Sequence, residues 1–100
     1  MAKRKVVWSS EAKIEFFEIL DYYYQRNGNT NYSKNLNQTI RQSTLRLKKT
    51  PYFGKKTNIE NIRLLIEGNF LIFYSIHDTE IRILSIVDSR RNPEVIRYKK

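Results

Sequence analysis

The chain has 100 residues, with 19 Lys plus Arg against 10 Asp plus Glu and a formal net charge of +9. That length fits one domain, residues 1–100; a 40% hydrophobic content supplies a core, and only 3 Gly and 2 Pro argue against a disordered chain. The lack of Cys excludes disulfides, thiol catalysis and Cys-based zinc or iron–sulfur sites, His77 alone cannot build a His-rich metal site, and no apolar run of about 18 residues is present to span a membrane. These exclusions leave a small, soluble, basic domain whose charge suits a polyanion or an acidic protein; the lack of Cys fits a reducing compartment, and the expectation is a cytoplasmic protein with no metal or cofactor.

In chain order, Lys5-Val6-Val7-Trp8 is a β-branched and aromatic run that predicts a first strand. Ser9 and Ser10 follow, with Glu11 next. A Ser oxygen accepts from an otherwise unpaired N–H at a helix start, and an early Glu suits the positive end of the helix dipole. Ala12, Phe16, Ile19 and Tyr23 then recur at helical spacing, so they form one buried face. Asn27-Gly28-Asn29 predicts the end, since Gly and Asn tolerate the left-handed conformation. A second helix is expected from about Asn31, with Leu36, Ile40, Ser43 and Leu47 on its inner face. Thr50-Pro51 stops it, because a residue before Pro disfavours the helical region. The two helices read as a hairpin.

Residues 51–60 form a basic loop, followed by three strand-like runs at 61–67, 70–77 and 80–88. Gly68-Asn69 and Asp78-Thr79 between them are turn signals, so the runs predict a three-stranded antiparallel meander. The middle run is apolar on both faces and is expected to be covered on both. Tyr74 reads as core or core edge, and Trp8 as a strand residue under the first helix. Tyr22, Tyr23 and Tyr24 read as core and rim of that helix. The order β-α-α-β-β-β gives an α+β fold, with the helical hairpin on a small twisted antiparallel sheet and the first strand beside the meander.

The charge is uneven. Residues 11–25 carry Glu11, Glu15, Glu18 and Asp21 against Lys13, whereas 46–56 carry Arg46, Lys48, Lys49, Lys55 and Lys56 with no acid. The tail adds Arg90, Arg91, Arg97, Lys99 and Lys100 against Glu94. Lys3, Arg4 and Lys5 read as a solvated arm. The meander is expected to bring Lys55, Lys56, Arg63, Arg90 and Arg91 into one basic zone, with Tyr52, Phe53 and Tyr98 among them. Cations on phosphates and rings on bases are the means by which proteins hold RNA or single strands. The same cations also complement a helix C-terminus and an acidic partner. His77, in a turn, reads as a surface residue.

The chain resembles the RelE/ParE superfamily of bacterial type II toxins over nearly its whole length. Val7-Trp8-Ser9 with Ala12, Phe16, Ile19 and Tyr22-Tyr23 is similar to the opening strand and first helix of that group. Leu47, Pro51 and Gly54 match its L-x-x-x-P-x-x-G ending of helix two. Arg63, then Phe70-x-Ile72-x-Tyr74, Ile81-x-Ile83 and Arg90-Arg91-x-Pro93, match its sheet and basic end. The resemblance implies a β-α-α-β-β-β fold and an acidic antitoxin that folds on binding. It implies one of two targets: DNA gyrase for ParE-like members, or mRNA on the ribosome, cut without metal, for RelE-like members. A binding module of the same fold without toxicity is a third reading. For a nuclease the candidates are Arg63, Arg90, Arg91 and Tyr98; for target or nucleic-acid binding they are Lys55, Lys56, Arg63, Arg90, Arg91 and Arg97. Leu71 stands where nucleases of the group carry a basic residue, and Ile96 where they carry a Tyr, with Tyr98 two residues late. Those departures, with Asp21-Tyr22-Tyr23 at the end of the first helix, favour the gyrase reading.

Overall fold

The computed structural model describes residues 3–91. Strand β1 (Lys5–Trp8) leads into helix α1 (Ser10–Asn27). Ser9 caps that helix, its hydroxyl oxygen accepting from Ala12 N at 3.0 Å. Gly28 ends it at φ 72°, a conformation that a side chain would strain. Helix α2 (Asn31–Leu45) follows and tightens into a 3-10 turn, Arg46–Lys48, before Pro51. Strands β2 (Lys55–Lys56), β3 (Arg63–Glu67), β4 (Phe70–Ile76) and β5 (Glu80–Asp88) complete the chain order.

The sheet order is β1-β5-β4-β3-β2. β3, β4 and β5 form the expected antiparallel meander, and β2 extends it by two antiparallel pairs. β1 takes the opposite edge, parallel to β5, so the sheet is mixed rather than wholly antiparallel. β2 was not visible in the 51–60 loop because two lysines carry no alternation of apolar and polar residues. Only their pairing to Leu64 and Arg63 defines them as a strand.

Helices and sheet meet over a single core. From α1 it takes Ala12, Phe16, Ile19 and Tyr23, the face read from spacing alone. From α2 and the turn after it come Leu36, Ile40 and Leu47, and from the sheet Ile72, Tyr74, Ile81 and Ile83. Leu64 and Leu71, on the other face of the sheet, are buried as well. Two polar contacts fix α1 on β5. Glu15 Oε1 accepts from Ser85 Oγ at 2.9 Å and from Ile86 N at 3.1 Å. A register shift at Phe73/Tyr74 leaves Leu84 without a partner on β4, and Ser9 Oγ donates to the Leu84 carbonyl at 3.2 Å. One serine thus caps the helix and ties its start to the bulge.

Candidate functional site

The strand register decides where the cations lie. Arg63 pairs with Tyr74 near the end of β4, whereas Asp88, just before Arg90, pairs with Phe70 at its beginning. The two positions are four residues apart along β4, about 13 Å at ~3.3 Å per residue. The single basic zone expected from the sequence is therefore two zones at opposite ends of the sheet. The physical reason is strand direction: the start of β3 and the end of β5 cannot share an end, because alternate strands of a meander run the same way. Arg97 and Tyr98 lie outside the described residues.

At one end, Lys56, Arg63, Ser75 and His77 line a cavity of about 550 Å³, with Tyr52 at its rim. Ser75 Oγ and His77 Nε2 are 2.8 Å apart. Arg63 holds the adjoining loop. Its Nε donates to the Gly54 carbonyl at 3.0 Å, and its Nη2 donates to the carbonyls of Gly54 at 2.7 Å and Tyr52 at 3.1 Å. Its guanidinium also lies 5.3 Å from the centre of the Tyr52 ring, in cation–π range. Tyr74, fully buried, grips the same loop from below. Its hydroxyl donates to the Pro51 carbonyl at 2.7 Å and accepts from Gly54 N at 2.9 Å. Burial pushes the Tyr74 hydroxyl up from its ordinary value, while the Gly54 N–H and Arg63 pull the other way and do not prevail. Gly54 is required by this closeness, since a Cβ there would lie 2.5 Å from the Tyr74 hydroxyl and 2.8 Å from the Leu64 carbonyl. Tyr52 and Phe53 ride on the loop, 66% and 73% exposed.

At the other end, Arg90 and Arg91 close onto the tyrosines of α1. The Arg90 Nη2 donates to the Tyr23 hydroxyl, which donates to Asp88 Oδ2. Arg90 N also donates to Asp88 Oδ1 at 3.0 Å, and its Nε approaches the same oxygen at 3.3 Å. The Arg90 guanidinium lies over the Tyr23 and Phe70 rings, and that of Arg91 lies 3.7 Å from the centre of the Tyr22 ring. Burial, with the hydrogen bond to Asp88, pushes the Tyr23 hydroxyl up to about 12. Burial alone would raise Asp88, but hydrogen bonds from Tyr23 and Arg90 outweigh it and hold the carboxyl below the usual range. Asp88 in turn holds Arg90 charged.

A third surface is apolar. Ile14 and Phe17 on α1 are 59% and 68% exposed. Phe17 borders a groove of about 450 Å³ formed with Val6, Val7 and Trp8 of the edge strand β1 and with Leu20. Trp8 stacks on Phe16 inside it, the ring centres 5.2 Å apart. Lys13 and Arg41 stand at its border.

Sequence reasoning missed the roles of Tyr74, Asp88 and the Ser75–His77 pair. Asp88 had a signal, a lone acid closing an apolar strand, which calls for a partner once buried. The clamp of Arg63 and Tyr74 on main-chain carbonyls had none, because such acceptors are the same at every residue. Among the described residues no group of three or more His, Asp or Glu is placed to hold a metal. No described helix is long and apolar enough to cross a membrane.

Comparison with known proteins agrees with the β-α-α-β-β-β architecture. No curated protein matches the chain. A solved structure of the chromosomal ParDE TA system from P. aeruginosa superposes with a TM-score of 0.76 at 21% identity, covering 86% of this chain and 96% of that one. At that identity the likeness speaks for the fold. A family profile described as the ParE toxin of type II toxin-antitoxin system, parDE, matches residues 6–93. The chain belongs to the family of ParE toxins of type II toxin-antitoxin systems.

Proposed function

We propose that this toxin acts as a single cytoplasmic domain that inhibits DNA gyrase by protein contact, and that a cognate acidic antitoxin neutralises it. The observation that carries the reading is the employment of the arginines. Arg63 makes three hydrogen bonds to loop carbonyls, and Arg90 is held by Asp88 and Tyr23. Cleavage of RNA through the 2′-hydroxyl needs cations gathered on one phosphate together with a proton acceptor and donor. Here the two arginines brace the fold at opposite ends of the sheet.

The groove beside Phe17 supports the antitoxin half of the proposal. It offers apolar surface along one helix and one strand edge, bordered by Lys13 and Arg41. That suits an acidic amphipathic segment that orders on binding. The net charge of +9 would speed the encounter, and salt would slow it.

One observation favours ribosome-dependent mRNA cleavage as a second reading. Lys56, Arg63, Ser75 and His77 border one cavity, and His and Ser side chains can relay a proton. Supercoiling by purified gyrase, measured with and without the chain, separates the readings. Loss of supercoiling with accumulation of DNA breaks is the expected result. Intact gyrase activity together with mRNA cuts that require ribosomes would replace the proposal with the second reading.

A further inference from the structure

The loop from Pro51 to Gly54 is held more firmly than its place on the surface requires. Its carbonyls at Pro51, Tyr52 and Gly54 accept from Tyr74 or Arg63, Gly54 N donates to the Tyr74 hydroxyl, and Phe53 N donates to the Thr50 carbonyl at 3.1 Å. Gly54 leaves room for the hydroxyl beneath. The main chain is therefore fixed, yet the two rings it carries add little to the core, being exposed by two thirds or more. An ordered loop that presents large rings to water has its ordering entropy settled before any partner arrives. Exposed aromatics of this kind are the side chains that dominate protein interfaces.

The surroundings give the partner its chemistry. Lys48, Lys49, Lys55 and Lys56 are exposed around the loop and make no ion pair among the described residues. Beside Phe53 lies a pocket of about 280 Å³ lined by Leu47, Leu65 and Ile66 and by the Arg46–Glu67 ion pair. Arg63 lies over one face of the Tyr52 ring and holds its direction, leaving the rest of the ring open to a partner. The apolar groove of β1 and α1 is at the other edge of the sheet from β2, although β1 also approaches the 3-10 turn, Arg46–Lys48, that leads into the loop.

We infer that Tyr52 and Phe53 are the anchor by which the toxin grips the protein it disables, seated in an apolar site whose rim is acidic and facing the lysines. This rests on the reading of the chain as a toxin that acts through protein contact. It assigns target and antitoxin to different edges of the sheet.

The test is the double variant Tyr52→Ala/Phe53→Ala, expressed under a titratable promoter. Because both rings are exposed, the variant should fold as the wild type does by circular dichroism. It should also bind the product of the adjacent reading frame with wild-type affinity. The amount of chain needed to halve growth should rise by at least about 30-fold, the loss that follows from removing an interface hot spot. Undiminished toxicity overturns the inference. So does loss of antitoxin binding, or binding of a single-stranded oligonucleotide that the double variant abolishes. Reduced toxicity of the variant alongside purified gyrase that the wild type leaves untouched would sink the gyrase reading and keep the anchor, assigned to another protein.

Discussion

Replacing Tyr74 by Phe should destabilise the domain by about 2 kcal/mol, although it deletes one oxygen and changes no packing. The ring stays buried in the core. What is lost is the donor to the Pro51 carbonyl and the acceptor for Gly54 N, at 2.7 and 2.9 Å. Gly54 is buried, so its N–H is left without water, which costs roughly 1–3 kcal/mol. Pro51 is only half-buried, water can replace its donor, and its share stays under about 1 kcal/mol. For a domain of this size each kcal/mol is worth about 4–8 °C, so the midpoint should fall by about 8–16 °C. Thermal melting and urea titration measure this, with the urea slope unchanged if the surface exposed on unfolding is unchanged. Gly54→Ala in the same background completes the argument. Removing the hydroxyl relieves the 2.5 Å clash, but a Cβ would still lie 2.7 Å from the ring Cε1 and 2.8 Å from the Leu64 carbonyl. The double variant should thus be less stable than Tyr74→Phe alone. A midpoint shift of under about 2 °C for Tyr74→Phe, or no added cost from Gly54→Ala, would refute the account of the loop clamp.

Two further predictions concern the other end of the sheet and the apolar groove. Asp88 ionises more readily folded than unfolded, so its contribution is present above its ordinary value near 3.8 and is lost as the pH falls through the lower folded value. Tyr23 is shifted the other way, so its contribution is present below 10.0 and is lost as the pH rises towards about 12. Urea stability against pH should be level between those limits, and Asp88→Asn should flatten the acid limb while costing about 1–3 kcal/mol. An acid limb identical to the wild type would show that other carboxylates govern it. Phe17→Glu should leave the melting temperature within about 2 °C, since exposed positions matter little. It should weaken antitoxin binding at least about 30-fold by calorimetry, as loss of a hot spot does. Undiminished binding would place the antitoxin elsewhere.

The features legible in the sequence are those written in a repeat or a stop. Ala12, Phe16, Ile19 and Tyr23 define the inner face of α1 by spacing, and Ser9 and Gly28 mark its ends by their chemistry. The meander could be read from Gly68-Asn69 and Asp78-Thr79 because turns need such residues. Pairing that no tight turn announces was less legible: the first strand was expected beside the meander, but neither its parallel direction nor β2 was. Lys55–Lys56 is a strand only through Leu64 and Arg63, and the parallel seat of β1 on β5 follows from the path of the whole chain. The site suffered from the same blindness. Charge told which residues are cationic but not that Arg63 faces loop carbonyls and Arg90 faces Asp88. The split of the basic zone was legible, because the predicted meander already makes β3 and β5 run the same way; the start of one and the end of the other then lie at opposite ends, and the expected single zone did not follow from it.

The most direct test of the account is the inhibition of gyrase by the purified chain. Relaxed plasmid, gyrase and ATP are incubated with increasing amounts of the toxin, alone or premixed with its antitoxin. The account predicts that supercoiling falls and cleaved DNA accumulates as toxin is added, and that the antitoxin reverses both. Supercoiling that stays unchanged at every toxin concentration, with mRNA cut only when ribosomes are present, would contradict it.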